Sequence, residues 1–214
     1  MLQQPAGSLQ RDLKLIAGCN RVCFPNSFST KLGPSFTEKT FEWFLSAEHL
    51  FLFHIKDDEQ VIGYCGGFIS RYQGDGSTSG MMQYAMKEAA ASMFKRPWLF
   101  FNKELLSFYP LVIKNIGHKI FAPKAANAGA SVTNEPTKKK AGLVVIGVHP
   151  GYRGKGIFEI LMNEFEKESI KRQIHEMYLS VKKENARAVN AYKKAGWYVV
   201  KENPLSWEMA KNIL

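Results

Sequence analysis

Glycines at 151, 154 and 156 alternate with the bases Arg153 and Lys155, directly after an apolar run over 143–148. Behind them Phe158, Leu161, Met162 and Phe165 recur at three- and four-residue spacing, the pattern of one helix face. Strand, glycine-rich basic loop and helix together form an arrangement that binds phosphate. Glycines let backbone N–H groups approach closely, the helix start offers unpaired donors, and the bases add charge. The loop lacks the Gly-Lys-Ser/Thr ending of a Walker loop, and Gly-x-Gly-x-x-Gly is not satisfied. Further on, Asn185 stands where its side chain caps a helix, and that helix carries Tyr192.

The elements that must position these groups are legible around them. Apolar spacing predicts a helix from 11 to about 24, ended by Pro25, and the capping-box pattern Ser35-Phe36-Thr37-Glu38 opens a second helix to about 47. Strands over 50–55 and 61–69 flank the turn Asp57-Asp58-Glu59, which predicts an antiparallel hairpin. Residues 70–80 are a Gly/Ser loop, 81–96 and 103–120 read as helices, and 122–140 reads as a polar linker. A strand over 143–148, a helix over 156–172, a strand over 177–181 and a helix over 186–195 follow. Two closing strands are expected over 198–201 and 206–210.

Composition sets the outer bounds. With 214 residues and 45% hydrophobic side chains, one domain with a sizeable core is expected and a wholly disordered chain is excluded. No apolar run reaches the roughly 18 residues of a membrane span, and the first residues lack a basic start followed by an apolar stretch. A cytoplasmic protein is the expectation. Three cysteines and no paired His or Cys spacing point to reduced thiols and no metal, with Cys19 and Cys23 on one helix face as core residues. The net charge of +10 is uneven. There are 6 bases against 7 acids over 1–70, 11 against 4 over 71–140, and 12 against 8 over 141–214. Such a field attracts a polyanion or a phosphate-rich small molecule.

The stretch Val148-His149-Pro150-Gly151-Tyr152-Arg153-Gly154-Lys155-Gly156-Ile157 resembles the acyl-CoA pyrophosphate loop of the GNAT superfamily of N-acyltransferases, whose pattern is Gln/Arg-x-x-Gly-x-Gly/Ala. The segments Leu179-Ser-Val181, Asn185-Ala-Arg-Ala188 and Ala191-Tyr192-Lys-Lys-Ala-Gly196-Trp197 are similar to the second signature of that family, and the two cover about 141–200. The resemblance implies an α/β (α+β) fold. Its mixed, mostly antiparallel sheet of about six strands splays where the cofactor enters and has helices on both faces. A helical insertion over 70–140 falls between the third and fourth strands in the family's count. All of 1–214 is then one domain, with acceptor-side helices over 11–47 and an acyl-CoA-binding core over 141–200.

The resemblance also implies roles. Ile146, Gly147 and Val148 would hold the pantetheine arm as an added strand. Backbone groups of Arg153, Gly154, Lys155, Gly156, Ile157 and Phe158 would hold the pyrophosphate. Asn185 and Ala188 would touch the cofactor, and Tyr192 would protonate the leaving thiolate. The sequence departs from the family twice. Phe158 stands where Gly or Ala is usual; its register assigns it to the core face, the alternative being that it crowds the pyrophosphate. Residues 1–10 offer no candidate for the family's first strand. For the general base His149, His175, Glu176 and His118 are candidates, and none is assigned.

The activity so implied is transfer of an acetyl group from acetyl-CoA to a primary amine of a small molecule, by direct attack and without a metal. Residues 17–45 also resemble the front helices of acetyltransferases of bacterial surface-polysaccharide synthesis, so an amino sugar, nucleotide-linked or free, is one acceptor expectation; residues 24–36 and 70–125 should choose it. The alternatives are a protein or peptide acetyltransferase acting on lysine or N-terminal amines, a CoA-binding module without turnover, and a nucleic-acid binder. No nucleic-acid partner is expected, and the run Lys138-Lys139-Lys140 reads as solvated linker. The aromatic run from Trp98 to Tyr109 reads as a core helix, or as a groove or surface for peripheral contact with a membrane. A monomer or homodimer is expected.

Overall fold

A computed structural model of the chain describes residues 6–70, 77–101 and 139–213. Helix α1 (Ala6–Cys23) leads into α2 (Phe28–Leu32) and α3 (Pro34–Glu42), and the last runs on as a 3-10 turn, Trp43–Leu45. Strands β1 (Leu50–Asp57) and β2 (Gln60–Ile69) form the expected hairpin. Helices α4 (Ser77–Tyr84) and α5 (Met86–Lys95) and a 3-10 turn, Pro97–Phe101, belong to the insertion. Then come β3 (Ala141–Val148), α6 (Ile157–Lys171), β4 (Glu176–Lys182), α7 (Ala186–Lys194), β5 (Tyr198–Glu202) and β6 (Ser206–Asn212). The expected helix over 103–120 and most of the linker over 122–140 lie outside the described residues. Among the described residues no helix is long and apolar enough to cross a membrane.

The six strands form one sheet in the order β1-β2-β3-β4-β6-β5, antiparallel everywhere except between β3 and β4. Both faces are covered, which is why β1 and β2 read as nearly continuous apolar runs. On one face Phe51, Phe53, Cys65 and Leu143 pack with Leu161, Met162 and Phe165 of α6 and Tyr192 of α7. On the other, Leu50, Leu52, Tyr64 and Phe68 pack with Leu13, Ile16, Cys19 and Cys23 of α1 and with Phe41 of α3. A smaller cluster of Leu32, Phe36, Ala85 and Leu99 fastens the insertion to α2 and α3. Within the aromatic run Leu99 is buried and Trp98 exposed; residues from 102 onward are outside the described part.

Three local expectations change. Between the two expected front helices stands a short additional one, α2, because Ser27 caps it by accepting from the Thr30 N–H at 3.2 Å. The capping box at Ser35 does not form. Proline presets the helical φ at the first position of α3, so Gly33, at φ +100°, becomes the cap without a side-chain bond. In place of one helix over 81–96, α4 and α5 meet at Ala85, whose φ of −96° and ψ of 12° interrupt the helical run.

The family's first strand has no counterpart among the described residues, so β1 is the sheet edge, and in this chain's own count the insertion falls between β2 and β3. A buried polar link ties α1 to that edge. Asp12 Oδ2 lies 2.9 Å from His54 Nε2 on β1, and Lys56 Nζ donates to Asp12 Oδ1 at 3.3 Å. Burial holds the His54 imidazole below its ordinary range, although Asp12 pulls the other way. The unfolded chain therefore takes up a proton at His54 more readily than the folded one, so this contribution is full at neutral pH and falls as pH drops through about 6.5. Urea unfolding followed from pH 7.5 to 5 should show stability declining with acid, and His54→Gln should flatten that decline.

Candidate active site

β3 pairs with β4 only at Ala141↔Met177, Gly142↔Tyr178 and Leu143↔Leu179. Beyond Leu143 the two strands part. The cause lies in β3, where Gly66 pairs with Val145 but Gly67 with Leu143, so that Val144 is an extra residue that bends the strand. The gap opens a cavity of about 530 Å³. One wall is residues 144–148 of β3 and the other Ser180, Val181 and Lys182 of β4 with Asn185, Ala188, Ala191 and Tyr192 around α7. Arg153, Gly154, Gly156 and Phe158 form the loop end, while Asn20, Cys23, Phe24, Ser27 and Ser29 close the side of α1 and α2.

The loop is built as a donor set. Gly154 and Gly156 hold φ of +76° and +77°, conformations that glycine adopts without penalty. Gly156 is the cap of α6 and makes no side-chain cap bond, so the first N–H groups of that helix remain available to an anion. The Lys155 N–H is used within the loop, donating to the Tyr152 carbonyl at 3.4 Å. Arg153 Nε donates to the Val148 carbonyl at 3.2 Å and its Nη2 to the Cys23 carbonyl at 3.5 Å, so the guanidinium joins the loop to the end of α1. Lys155 instead places Nζ over the Tyr152 ring, 4.7 Å from its centroid, and does not line the cavity.

Of the residues singled out in the sequence, Ile146, Gly147, Val148, Arg153, Gly154, Gly156, Phe158, Asn185, Ala188 and Tyr192 line this one cavity. Lys155 and Ile157 do not; Ile157 is buried in the core, against the space above Gly63. Asn185 caps α7, accepting from the Ala188 N–H at 3.2 Å. Phe158 is half-buried rather than in full register with Leu161, Met162 and Phe165. Its ring stands edge-on to Tyr192 with centroids 5.6 Å apart, and Trp197 packs on Tyr192 at 5.8 Å. Burial, aided by the nearby Cys65, raises the Tyr192 phenol well above its usual range, so the group remains a neutral O–H donor. The base candidates lie elsewhere. His149 accepts from the Gly151 N–H at 3.3 Å on Nδ1, Glu176 takes an ion pair from Lys140 at 2.6 Å, and neither they nor His175 line the cavity. His118 is outside the described residues.

Sequence reasoning did not single out Asn20 or Tyr64, and took Cys23 for core alone. Each faces this cavity while also packed in the core. The Cys19 hydrogen bond holds the Cys23 thiol below its usual range against the opposing effect of burial, with the charges of Arg153 and Arg187 acting in the same direction. Tyr64 lies directly opposite Gly147 in the β2–β3 register, a pairing visible only once the hairpin and insertion lengths are known. Among the described residues no group of three or more His, Cys, Asp or Glu side chains is placed to hold a metal ion.

A parted sheet above an uncapped glycine-rich helix start, with a neutral tyrosine on the opposite wall, is suited to holding a phosphate-bearing thioester. The model of the Acetyltransferase (GNAT) family matches residues 117–197. The matched stretch takes in the glycine-rich loop, α6, β4, the Asn185 cap and Tyr192. Solved structures share its fold. PaiA N-acetyltransferase from Thermoplasma acidophilum, in complex with coenzyme A, aligns with TM-score 0.56 and 15% identity over 100% of this chain and 98% of its own. The ribosomal-protein-S18-alanine N-acetyltransferase from Escherichia coli gives 0.53 and 14%, over 100% and 93%. An aminoglycoside 6'-N-acetyltransferase complexed with coenzyme A gives 0.57 and 11%, over 100% and 97%. At these identities the likeness is one of fold. No curated protein sequence matches the chain.

Two glycines of the site separate strain from clash. A Cβ at Gly156 meets open space, so Gly156→Ala should cost only the left-handed conformation, about 1 kcal/mol. A Cβ at Gly147 would lie 2.5 Å from the Tyr64 ring, which is fully buried, so Gly147→Ala should cost more, about 1–3 kcal/mol. Denaturant unfolding of both variants measures the order.

Proposed function

We propose that the cavity between β3 and β4 is the acetyl-CoA site and that the acceptor is a primary amine of a small molecule. What supports this most is the parting of β3 from β4 beside the uncapped start of α6, because it supplies two donor sets of the right kinds side by side. Beyond Leu143, β3 has no partner on its β4 side, so Ile146, Gly147 and Val148 can receive an extended amide-bearing chain as an added strand. The N–H groups of Gly154, Gly156, Ile157 and Phe158 would donate to the pyrophosphate. Arg153 contributes charge there while its hydrogen bonds hold the loop. Asn185 and Ala188 bound the far side of the arm.

Bound acetyl-CoA supplies an activated acetyl thioester. The chain's part is to align the amine with the carbonyl carbon and to manage charge at sulfur as the carbon–sulfur bond breaks. Tyr192 is placed for the second task. Its raised phenol is a poor acid and a dependable O–H donor, so it would stabilise the charge growing on sulfur through a hydrogen bond, and any proton it passes there would be made good by the one the amine gives up. Phe158 and Trp197 fix its ring. The positive lining of the cavity, Arg153, Lys182 and Arg187 against Glu159, suits an acceptor bearing neutral or anionic groups, such as an amino sugar free or nucleotide-linked. The whole chain acts as one domain, with α1 to α3 and the insertion forming the acceptor side.

Tyr192→Phe should lower turnover by about 10²-fold or more while acetyl-CoA affinity is unchanged, measured by thiol release and calorimetry. Because burial raises this phenol, the wild-type rate should show no alkaline loss through about pH 10, where an ordinary tyrosine ionises. Turnover of the Phe variant near that of wild type would remove Tyr192 from the reaction.

A further inference from the structure

The wall that α1 contributes holds one polar group with nothing to bind. Tyr64 is fully buried, and its O–H donates to Asn20 Oδ1 at 2.5 Å. A buried phenol left without an acceptor costs free energy, and no other acceptor reaches it among the described residues, so the bond fixes which end of the Asn20 amide faces inward. Asn20 is 9% exposed and lines the cavity. With Oδ1 occupied by Tyr64, its Nδ2 is presented to the cavity, and it has no partner among the described residues. The pair sits against the middle of β3's free run, since a Cβ at Gly147 would lie 2.4 Å from the Tyr64 oxygen.

We infer that Asn20 is an acceptor-binding residue whose Nδ2 donates to an oxygen of the acceptor amine, and that Tyr64 is the residue that orients it. The substrate class is then an amine that also carries an oxygen acceptor, either a hydroxyl or a carbonyl. This rests on the acetyl-CoA site proposed above. An oxygen acceptor is what an amide N–H recognises. A site with such a donor discriminates strongly against an amine lacking the oxygen, because the buried N–H is then left unpaired.

Three acceptors separate the outcomes: glucosamine for a hydroxyl, alaninamide for a carbonyl, and propargylamine as an oxygen-free amine of similar basicity. Thiol release gives kcat and KM for wild type, Asn20→Ala and Tyr64→Phe, and calorimetry with acetyl-CoA reports that each variant retains a folded cofactor site. The expected result is that wild type prefers one of the oxygen-bearing amines. Asn20→Ala should lower kcat/KM for it by about tenfold or more without changing that for propargylamine. Tyr64→Phe should raise KM for the same amine and leave kcat nearly unchanged. Which of glucosamine and alaninamide shows the effect identifies the oxygen. Equal losses on all acceptors, a wild type as active on propargylamine, or one that binds acetyl-CoA and acetylates neither oxygen-bearing amine would overturn the inference. Absence of acetyl-CoA binding by wild type would count instead against the cofactor site itself.

Discussion

The parting of β3 from β4 after three paired residues is the constraint on which the rest depends. Past the Val144 bulge, Val145 to Val148 stay paired with β2 and have no partner on the β4 side. Backbone N–H and C=O groups left without partners in a partly buried strand need them from elsewhere. Val144 sets the parting, because one extra residue in β3 opposite the Gly66–Gly67 step changes the strand's direction at that point. The glycines of β2 accommodate it. A Cβ at Gly67 would lie 2.6 Å from the Gly142 carbonyl and 2.5 Å from the Phe165 ring, so only glycine admits both the bulge and the packing of α6.

The cavity inherits different chemistry from the two faces of the sheet. On the α6 and α7 face it borders the main core, where burial keeps Tyr192 neutral and Phe158 and Trp197 hold its ring. On the α1 face the wall is more polar, with the Asn20–Tyr64 bond, the Cys23 thiol and the hydroxyls of Ser27 and Ser29. Arg153 spans the two, bonded to the carbonyl that ends β3 and to the one that ends α1. A basic side chain on the last carbonyls of a helix is favourable in its own right. Here it also couples the position of the acceptor wall to that of the phosphate loop.

The loop, α6 and the Asn185 cap were legible because each uses local rules (glycine-rich turn chemistry, an asparagine cap and helical periodicity), whereas Tyr192 was legible through the family resemblance of its helix. The order and register of the strands set the rest. Tyr64 meets Gly147 across a gap in sequence that contains the whole insertion, so no local pattern pairs them. Cys23 read as core from its helix spacing, and it is buried, yet the same residue faces the cavity because α1 ends there. Phe158 followed the same logic: periodicity placed it towards the core, and it is packed there while one side of the ring forms the cavity wall. At Ser35 the capping-box pattern was present in sequence, and Pro34 took the first helical position and displaced it.

Amide hydrogen exchange with and without coenzyme A tests the central claim most directly, since it reads the backbone groups to which the cofactor is assigned. Slowed exchange at Ile146, Val148, Gly154, Gly156, Ile157 and Phe158 together, with β5 and β6 unchanged, is the result this account predicts. Binding of coenzyme A that leaves those amides exchanging as before would contradict it and place the cofactor elsewhere on the chain.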